Sequence, residues 1–439
     1  MKKKVLIIGL LLISLFLISF IVEAKDGNIV NLELNCTAGY EESTIDGLVD
    51  LFNETHPGIN VELNAGGRSG RQDHLVIILQ SGAKTPDIIQ NNTIWPSTFA
   101  ALGWIKALDP YMDDPDLKPN DLSLNDFPPG LLESCSYKGK VYGLPQDLSG
   151  YHLYYRTDLI DSPPQTWKEF EEVAREFTQS INPDSPTKYG TVWQGQRGSL
   201  NPKEWSNIFW SMGGKWLINE NGTLKPGIYS EAGIKSLEYR VRFIKDKLVP
   251  PDVVNYAYTD SNIAFQQGLV PMILQWSAAY AGFISPEQSP KIYDKVAITE
   301  VPGVKKEDGT IYRTPFTQGQ AYMVNANSDH PKEAAQFIMW LMSRSTQKIY
   351  ALGTHATAAG NTASLPVMTD PEVIKARPEY ELFYKTFAIG KVYPAMSSWS
   401  QIHDIVDVAL GSAMNGEGTA EELLKSAQDD IEKLLEKTD

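Results

Sequence analysis

The chain has 439 residues, a formal net charge of −15 at pH 7, two cysteines and six histidines. A chain of this length is expected to form two domains, and its acidic balance argues against nucleic acid or an anionic membrane as the ligand. Two cysteines make neither a disulfide framework nor a cysteine-rich metal site, and the sequence has no HExxH pair, so we expect no metal dependence.

The N-terminus has the pattern of an export signal. MKKKVLIIGLLLISLFLISFIVEAKDG contains three lysines, an uncharged apolar run from Val5 to Val22 and a small-residue cleavage site. We expect residues 1–24 to be a signal peptide that is removed after Ala24. The apolar run is also long enough for an uncleaved membrane anchor, which stays open as the alternative.

No cysteine follows the apolar run directly, so the sequence offers no attachment site for a lipid anchor. The mature chain is expected outside the cytoplasm, in the periplasm or at the outer face of the cytoplasmic membrane. A disulfide between Cys36 and Cys135 is permitted in that compartment but is not required.

Strand and helix patterns alternate in the first part of the mature chain. A Ser43 and Asp46 capping pattern begins the first helix, and apolar residues lie on one face of it. The predicted elements are a strand at 30–35, a helix at 43–52, a strand at 59–63, a helix at 75–80 and a strand at 86–90. This βαβαβ order predicts a parallel sheet with helices on both faces.

Helix patterns continue to the end of the chain, at 166–177, 231–248, 332–350 and 419–437. Between them, Val270 to Leu274 form an apolar run that predicts a strand buried on both faces. This strand ends on Gln275 and Trp276. An aromatic side chain at that place is either part of the core or the floor of a binding site.

Seven stretches in order resemble the extracellular solute-binding proteins of ABC importers, and most closely the maltose- and trehalose-type sugar binders. No single stretch is specific, but together they cover the whole mature chain. They are FNETHPGINVELN at 52–64, SGAKTPDIIQNN at 81–92, GWIKALDPYM at 103–112, YKGKVYGLPQDLSGYHLYYRTDLI at 137–160, PPQTWKEFEEVAREF at 163–177, FQQGLVPMILQW at 265–276 and HPKEAAQFIMWLMSRSTQ at 330–347.

The resemblance implies an α/β, two-lobed periplasmic-binding-protein-like fold, with a mostly parallel sheet in each lobe and the ligand between the lobes. The chain would cross between lobes near 144–148, 293–301 and 351–360, at hinge segments. The N-terminal lobe would contain 25–147 and 293–350, and the C-terminal lobe 148–292 and 351–439.

The function implied by the resemblance is that of a binding component and not of an enzyme. The ligand would be a neutral sugar, a di- or oligosaccharide, and the chain would deliver it as a monomer, without a cofactor, to a membrane permease with a cytoplasmic ATPase. The same fold can bind a phosphorylated or acidic solute, and the two arginines of GGRSGR keep that alternative open. A secreted glycoside hydrolase needs a pair of carboxyl groups, which nothing in the sequence marks.

A neutral sugar needs flat aromatic surface and fixed hydrogen-bonding groups. By resemblance, Trp276 matches a stacking aromatic on the cleft floor and Trp399 one that covers the ligand. The polar candidates follow strands, where open α/β sheets bind ligands. Twelve residues are expected at the site: Tyr40, Glu41, Arg68, Asn91, Asn92, Trp95, Asp147, Tyr151, Trp193, Trp276, Gln320 and Trp399.

Two of these residues depart from the pattern of the sugar binders. Gln320 stands in TQGQAYMV, where relatives have an aromatic residue, and Asn92 stands where many have a carboxylate. Both changes replace stacking or charge with amide hydrogen bonding. The resemblance to sugar binders therefore does not identify which sugar this chain binds.

Overall fold

The structure is a computed structural model that describes residues 29–67, 71–198, 200–394, 396 and 398–438. The expected signal peptide and the candidate ligand residue Arg68 lie outside the described residues. Among the described residues, none of the helices has the length and apolarity that a membrane crossing requires. Cys36 and Cys135 are both buried and both carry free thiols.

The described part of the chain contains fifteen strands, numbered here in chain order. They are β1 (Val30–Thr37), β2 (Ile59–Gly66), β3 (Ile88–Asn92), β4 (Ser136–Tyr137), β5 (Lys140–Val141), β6 (Leu144–Pro145), β7 (Ser149–Arg156), β8 (Leu217–Glu220), β9 (Thr223–Pro226), β10 (Met272–Trp276), β11 (Val296–Thr299), β12 (Val304–Lys305), β13 (Ile311–Tyr312), β14 (Thr317–Gln318) and β15 (Gln320–Val324).

Helices cover both sheets, and three further 3₁₀ turns lie at Leu124–Asp126, Val253–Asn255 and Ser277–Ala279. The α-helices are α1 (Tyr40–Ser43), α2 (Asp46–Thr55), α3 (Arg71–Gln80), α4 (Pro96–Ala101), α5 (Asp109–Met112), α6 (Pro129–Ser134), α7 (Trp167–Glu176), α8 (Asn201–Ser211), α9 (Glu231–Lys245), α10 (Tyr258–Gln266), α11 (Tyr280–Phe283), α12 (Pro331–Leu341), α13 (Arg344–Leu352), α14 (Leu365–Met368), α15 (Pro371–Ala376), α16 (Tyr380–Ile389), α17 (Trp399–Met414) and α18 (Ala420–Thr438).

The first sheet has the strand order β2-β1-β3-β15-β6. Strands β2, β1 and β3 are parallel, as the βαβαβ pattern predicts, and β15 and β6 join them in antiparallel pairs. The carboxyl ends of the parallel strands β2, β1 and β3 therefore meet at one edge of the sheet, where Tyr40 follows β1 and Asn92 ends β3. This edge is where an open α/β sheet binds its ligand.

The second sheet has the order β10-β7-β11, and β14 also pairs with β7. Each of these pairs is antiparallel, which differs from the mostly parallel sheet expected for this lobe. A strand pattern in a sequence predicts that a strand exists but not the direction of its partner. The register places Trp276 directly opposite Tyr151.

The chain passes between the two sheets three times in the described residues. The first passage agrees with the predicted crossing, and the other two lie elsewhere. β6 lies in the first sheet and β7 in the second, so the first passage lies between them, within 144–148. β11 pairs with β7, so the chain is still in the second sheet at 293–301, where the second crossing was predicted. It returns to the first sheet at Gly319, between β14 and β15.

The third passage also lies later than the predicted segment at 351–360. Buried residues of α14, α15 and α16 belong to the hydrophobic core around the first sheet, whereas α17 and α18 pack into the core around the second. The passage therefore lies between Ile389 and Trp399. Gly and Pro residues occur in many surface turns, and this explains why they did not identify the hinge.

Candidate functional site

Short polar side chains gather at the carboxyl edge of the first sheet. Glu41 is 6% exposed in α1, and Asn91 is 6% exposed at the end of β3. The Nδ2 atom of Asn91 donates to Oε1 of Gln72 at 2.7 Å. The Asn91 Oδ1 atom accepts from the backbone N–H of Asn92 at 2.8 Å, so the two asparagines are held in one arrangement.

Arg71 fixes the backbone around these residues. Its Nε atom donates to the carbonyl of Cys36 at 3.1 Å, and its Nη2 atom donates to Oδ1 of Asn35 at 2.8 Å and to the carbonyl of Gln90 at 2.6 Å. One guanidinium group thus ties together the ends of β1 and β3. Glu41 and Asn91 lie just beyond these two points in the chain.

Asp147 and Gln320 lie where the chain passes between the lobes. The backbone N–H of Gln320 donates to Oδ1 of Asp147, and Gln320 is paired with Asn92 in the register of β15 and β3. Burial and the charge of Asp147 raise the pKa of Tyr40, which places the phenol near this carboxylate. The structure therefore brings Tyr40, Asn92, Asp147 and Gln320 to one end of the first sheet.

A continuous row of aromatic rings, here called the aromatic row, lies on the second lobe. It contains Tyr151, Trp276, Phe316, Tyr393 and Trp399. The ring centroids lie 4.5 Å apart between Tyr151 and Trp276, 5.7 Å between Trp276 and Phe316, 4.6 Å between Phe316 and Tyr393, and 4.6 Å between Tyr393 and Trp399.

The aromatic row joins Trp276 and Trp399, which lie more than a hundred residues apart in sequence. Both are largely buried, at 8% and 1% exposed, within the hydrophobic core around the second sheet. Phe316 and Tyr393 were not predicted. Phe316 immediately precedes the TQGQ segment and Tyr393 lies six residues before Trp399, so proximity to predicted residues was the available signal.

Buried charged groups lie beside the Tyr151 end of the aromatic row. Oε2 of Glu204 accepts from the backbone N–H of Gln194 at 2.9 Å, and burial raises the pKa of Glu204 to about 7 despite the nearby guanidinium of Arg240. Arg240 is 1% exposed and donates from Nη1 to Oδ1 of Asn201 at 2.7 Å. These two residues were also missed, because charged side chains usually lie in solvent.

Asp407 binds the segment that leads into α8, which carries Glu204. Its Oδ1 atom accepts from Nδ2 of Asn201 at 2.9 Å, and its Oδ2 atom accepts from the backbone N–H of Gly198 at 2.5 Å. Burial raises the pKa of Asp407 to about 6. The chain of contacts from Asp407 through Asn201 to Arg240 is largely removed from water.

Several buried polar atoms of this region have no hydrogen-bond partner in the part of the chain that the structure describes. They include Nε1 of Trp193, Oε1 of Gln194, Nη2 of Arg240 and Nε1 of Trp399. Buried polar groups in folded proteins are nearly always paired. These atoms therefore leave hydrogen-bonding capacity in this region for water or for a ligand.

The remaining two candidate tryptophans differ in position. Trp193 is 4% exposed and its ring lies 4.8 Å below the guanidinium of Arg240, so it borders the buried charges. Trp95 precedes α4 and stacks on Phe99 at 5.5 Å, beside a separate small core of the first lobe. The structure therefore places Trp193 beside the buried Arg240 and Trp95 beside a separate core of the first lobe.

A cavity of about 230 Å³ lies behind the passages between the lobes, with Leu148 and Thr317 in its lining. Side chains alternate between the two faces of an extended segment. Leu148 and Thr317 line the cavity, while their neighbours Asp147 and Phe316 belong to the candidate site. The cavity therefore lies on the opposite face of the hinge from the site.

Comparison with known proteins identifies relatives over most of the chain. The family model described as bacterial extracellular solute-binding protein matches residues 38–348. A probable ABC transporter-binding protein of Deinococcus radiodurans is 24% identical over 318 residues, which cover 70% of this chain and 72% of that protein. A maltooligosaccharide ABC transporter solute-binding lipoprotein of Streptococcus pneumoniae is 20% identical over 95% of this chain and 90% of its own length.

Two solved structures share the fold. Maltose-bound MalE3 of T. maritima has a TM-score of 0.80 and 25% identity, over 92% of this chain and all of its own. An ABC transporter solute-binding protein of Agrobacterium radiobacter K84 in complex with ribitol has a TM-score of 0.78 and 25% identity, over 93% of this chain and all of its own. The predicted two-lobed α/β fold is confirmed by this likeness.

Proposed function

Because the chain belongs to the family of bacterial extracellular solute-binding proteins, we propose that it binds a neutral sugar between its lobes and delivers it to an ABC permease. The aromatic row is the single observation that carries the proposal. It contains Trp276 and Trp399, the two tryptophans expected to stack on or cover the ligand. Aromatic rings provide flat apolar surface for the CH faces of sugar rings. Glu204 and Arg240, which lie beside the aromatic row, can accept and donate hydrogen bonds to sugar hydroxyls.

The names of the relatives support a ligand rich in hydroxyl groups. They refer to maltooligosaccharide, mannitol, maltose and ribitol, which are all uncharged. The row of rings from Tyr151 to Trp399 is longer than one sugar ring needs, which favours a di- or oligosaccharide. Of the two arginines that suggested a phosphorylated ligand, Arg71 binds backbone carbonyls and Arg68 lies outside the described residues.

The site is divided between the lobes, so the ligand has to bring them together. Asn92 and Asp147 on the first lobe and the aromatic row on the second can contact one small molecule only in a closed cleft. A sugar bound at micromolar affinity has about 8 kcal/mol of binding free energy. Shifting an open-to-closed ratio from 99:1 to 1:99 takes about 5.5 kcal/mol of differential binding, so closure by the ligand alone is affordable.

A closed monomer that differs from the open one gives an importer a means to recognise only the loaded form. The partners in this proposal are the membrane permease and its cytoplasmic ATPase. The chain would act at the outer face of the cytoplasmic membrane, either released after Ala24 or held by its N-terminal segment. N-terminal sequencing of the exported protein distinguishes the two forms.

The proposal is tested by calorimetry with maltose, trehalose, mannitol and ribitol, and with glucose 6-phosphate as the charged comparison. We expect at least one neutral compound to bind at micromolar affinity and the phosphate to bind more weakly. Solution scattering at saturating ligand should show a smaller radius of gyration, and the melting temperature should rise. Tight binding with an unchanged scattering curve would refute closure, and preference for the phosphate would refute the neutral ligand.

A further inference from the structure

Lys203 is a buried lysine that the proposed site has not used so far. It lies in the first turn of α8 and is 3% exposed. Burial alone lowers the pKa of Lys203 to about 7. Among the described residues no acidic side chain pairs with its ammonium group, although lysines are almost never fully buried unless paired.

The helix face of Lys203 points to the aromatic row. Residues four and seven positions further along a helix lie on the same face, and here these are Asn207 and Trp210. Oδ1 of Asn207 accepts from the backbone N–H of Phe316 at 2.8 Å. The ring of Trp210 lies 5.8 Å from that of Phe316 and 6.1 Å from that of Tyr393. Lys203 therefore lies one turn from Asn207, which binds the backbone of Phe316, and about two turns from Trp210, which packs on two rings of the aromatic row.

The neighbouring Glu204 does not neutralise this lysine. It lies about 100° further round the helix, where its carboxylate accepts from the backbone N–H of Gln194 and faces Arg240. The start of α8 thus has a carboxylate near Tyr151 and, on another face, Lys203, in line with the two residues that contact Phe316. An unpaired buried ammonium group is costly, and an outside acceptor removes that cost.

We propose that Lys203 contacts the ligand and donates hydrogen bonds from its amine group to hydroxyl or ring oxygens of the sugar. This inference rests on the proposed function. Contact with acceptor oxygens favours the protonated form of this amine. In that form it has three donors and no acceptor, so it selects oxygen atoms that accept. It also disfavours ligands with a cationic group, such as amino sugars, because like charges in a closed cleft repel each other.

The alternative is that Lys203 only packs its aliphatic stem against the rings. Lys203→Met separates the two roles, because methionine keeps a flexible apolar stem and removes the amine. If the amine binds the sugar, the variant should bind about tenfold to hundredfold more weakly, since a hydrogen bond to a charged group contributes this much. Its melting temperature should stay the same or rise, because a buried charge is gone.

The experiment measures calorimetric affinities of the wild type, Lys203→Met and Lys215→Met, whose lysine is exposed in the same lobe. The probes are the tightest-binding neutral sugar from the panel above and its series of monodeoxy analogues. One analogue should lose affinity for the wild type but show no further loss for Lys203→Met, and this identifies the oxygen that Lys203 contacts. Lys215→Met should behave as the wild type throughout.

The outcomes separate this proposal from the proposed function. If no neutral sugar binds the wild type, the proposed function fails and the role of Lys203 fails with it. If sugars bind and Lys203→Met has wild-type affinity for the parent sugar and for every deoxy analogue, the role of Lys203 alone is overturned. If Lys203→Met does not fold, the wild type still tests the proposal. A cationic contact predicts that replacing a hydroxyl of the sugar by an amine weakens binding more than removing that hydroxyl does. Equal losses of affinity for the amino and deoxy analogues would contradict the contact.

Discussion

The two halves of the candidate site are built in different ways. On the first lobe, Asn91 and Asn92 are short polar side chains at a sheet edge, and Arg71 holds their backbone in place. On the second lobe, Trp276 and Trp399 are members of the aromatic row and of the main hydrophobic core at the same time. The half on the first lobe lies at the end of a sheet, outside the hydrophobic core. The half on the second lobe is part of the hydrophobic core of that lobe.

This difference decides how far binding and stability can be separated. A change on the first lobe removes hydrogen bonds at the sheet edge, outside the hydrophobic core, and should alter affinity with little effect on folding. A change in the aromatic row removes both ligand contact and core contact, and so should alter both. Three predictions test this comparison.

The largest effect is expected for Trp276→Ala. The side chain is 8% exposed and packs on Tyr151 and Phe316, so its loss should lower the free energy of unfolding by about 3 to 5 kcal/mol. Affinity should fall about thirtyfold, or ~2 kcal/mol, from the loss of stacking. Urea unfolding and calorimetry measure the two quantities.

Trp340→Ala is the matched control, because Trp340 packs on Phe52 in the core of the first lobe. It should lower stability and leave affinity unchanged. If Trp276→Ala lowers stability in the same way and keeps full affinity, Trp276 is a core residue and not a ligand residue.

The second prediction concerns Glu204, whose pKa is raised by burial to about 7 in the folded state. In the unfolded chain this carboxyl group loses its proton near pH 4.5. Its contribution to stability is therefore fully present below that pH and is lost as pH rises through about 7. Relative to the wild type, Glu204→Gln should gain about 2 to 3 kcal/mol in unfolding free energy between pH 5 and pH 8.

Glu381→Gln, at an exposed position of α16, provides the comparison for this pH series. Its difference from the wild type should stay constant over the same range. A constant difference for Glu204→Gln as well would mean that the buried carboxylate stays ionised at all these pH values. The sugar affinity of Glu204→Gln should fall, since the acceptor oxygen becomes an amide nitrogen.

The smallest effect is expected for Arg71→Met on the first lobe. It removes hydrogen bonds to the carbonyls of Cys36 and Gln90, so the segments carrying Glu41 and Asn91 gain freedom. Affinity should fall about tenfold, with a loss of about 1 kcal/mol in stability. Arg344→Met, which breaks an ion pair to Asp126, should cost similar stability without a change in affinity. Equal affinity losses in both variants would contradict a positioning role for Arg71.

The sequence predicts local elements better than their assembly. The βαβαβ start and the end of β10 at Trp276 follow from residue patterns that depend on neighbours in the chain. The antiparallel second sheet and the returns at Gly319 and beyond Ile389 depend on contacts between distant segments. No local pattern contains that information.

The same limit applies to the site. Trp276 and Trp399 were predicted from a resemblance and do lie on one row of rings, whereas Phe316 and Tyr393, which connect them, have no distinguishing sequence pattern. Glu204 was missed because its environment is set by Arg240 and Gln194 from other elements. Burial of a charged residue is a property of the assembled lobe.

The number of passages between the lobes has a mechanical consequence. Two bodies joined by one tether can swivel and twist in any direction. In the described chain three passages join the lobes, and Leu148, Thr317 and Gly390, which lie in or next to one passage each, line the cavity on the far face. Three tethers fixed at both ends suppress twisting and sideways sliding and leave bending about one axis as the soft motion. In the proposed closure, each side of the cleft would then return to the same place whenever the lobes shut.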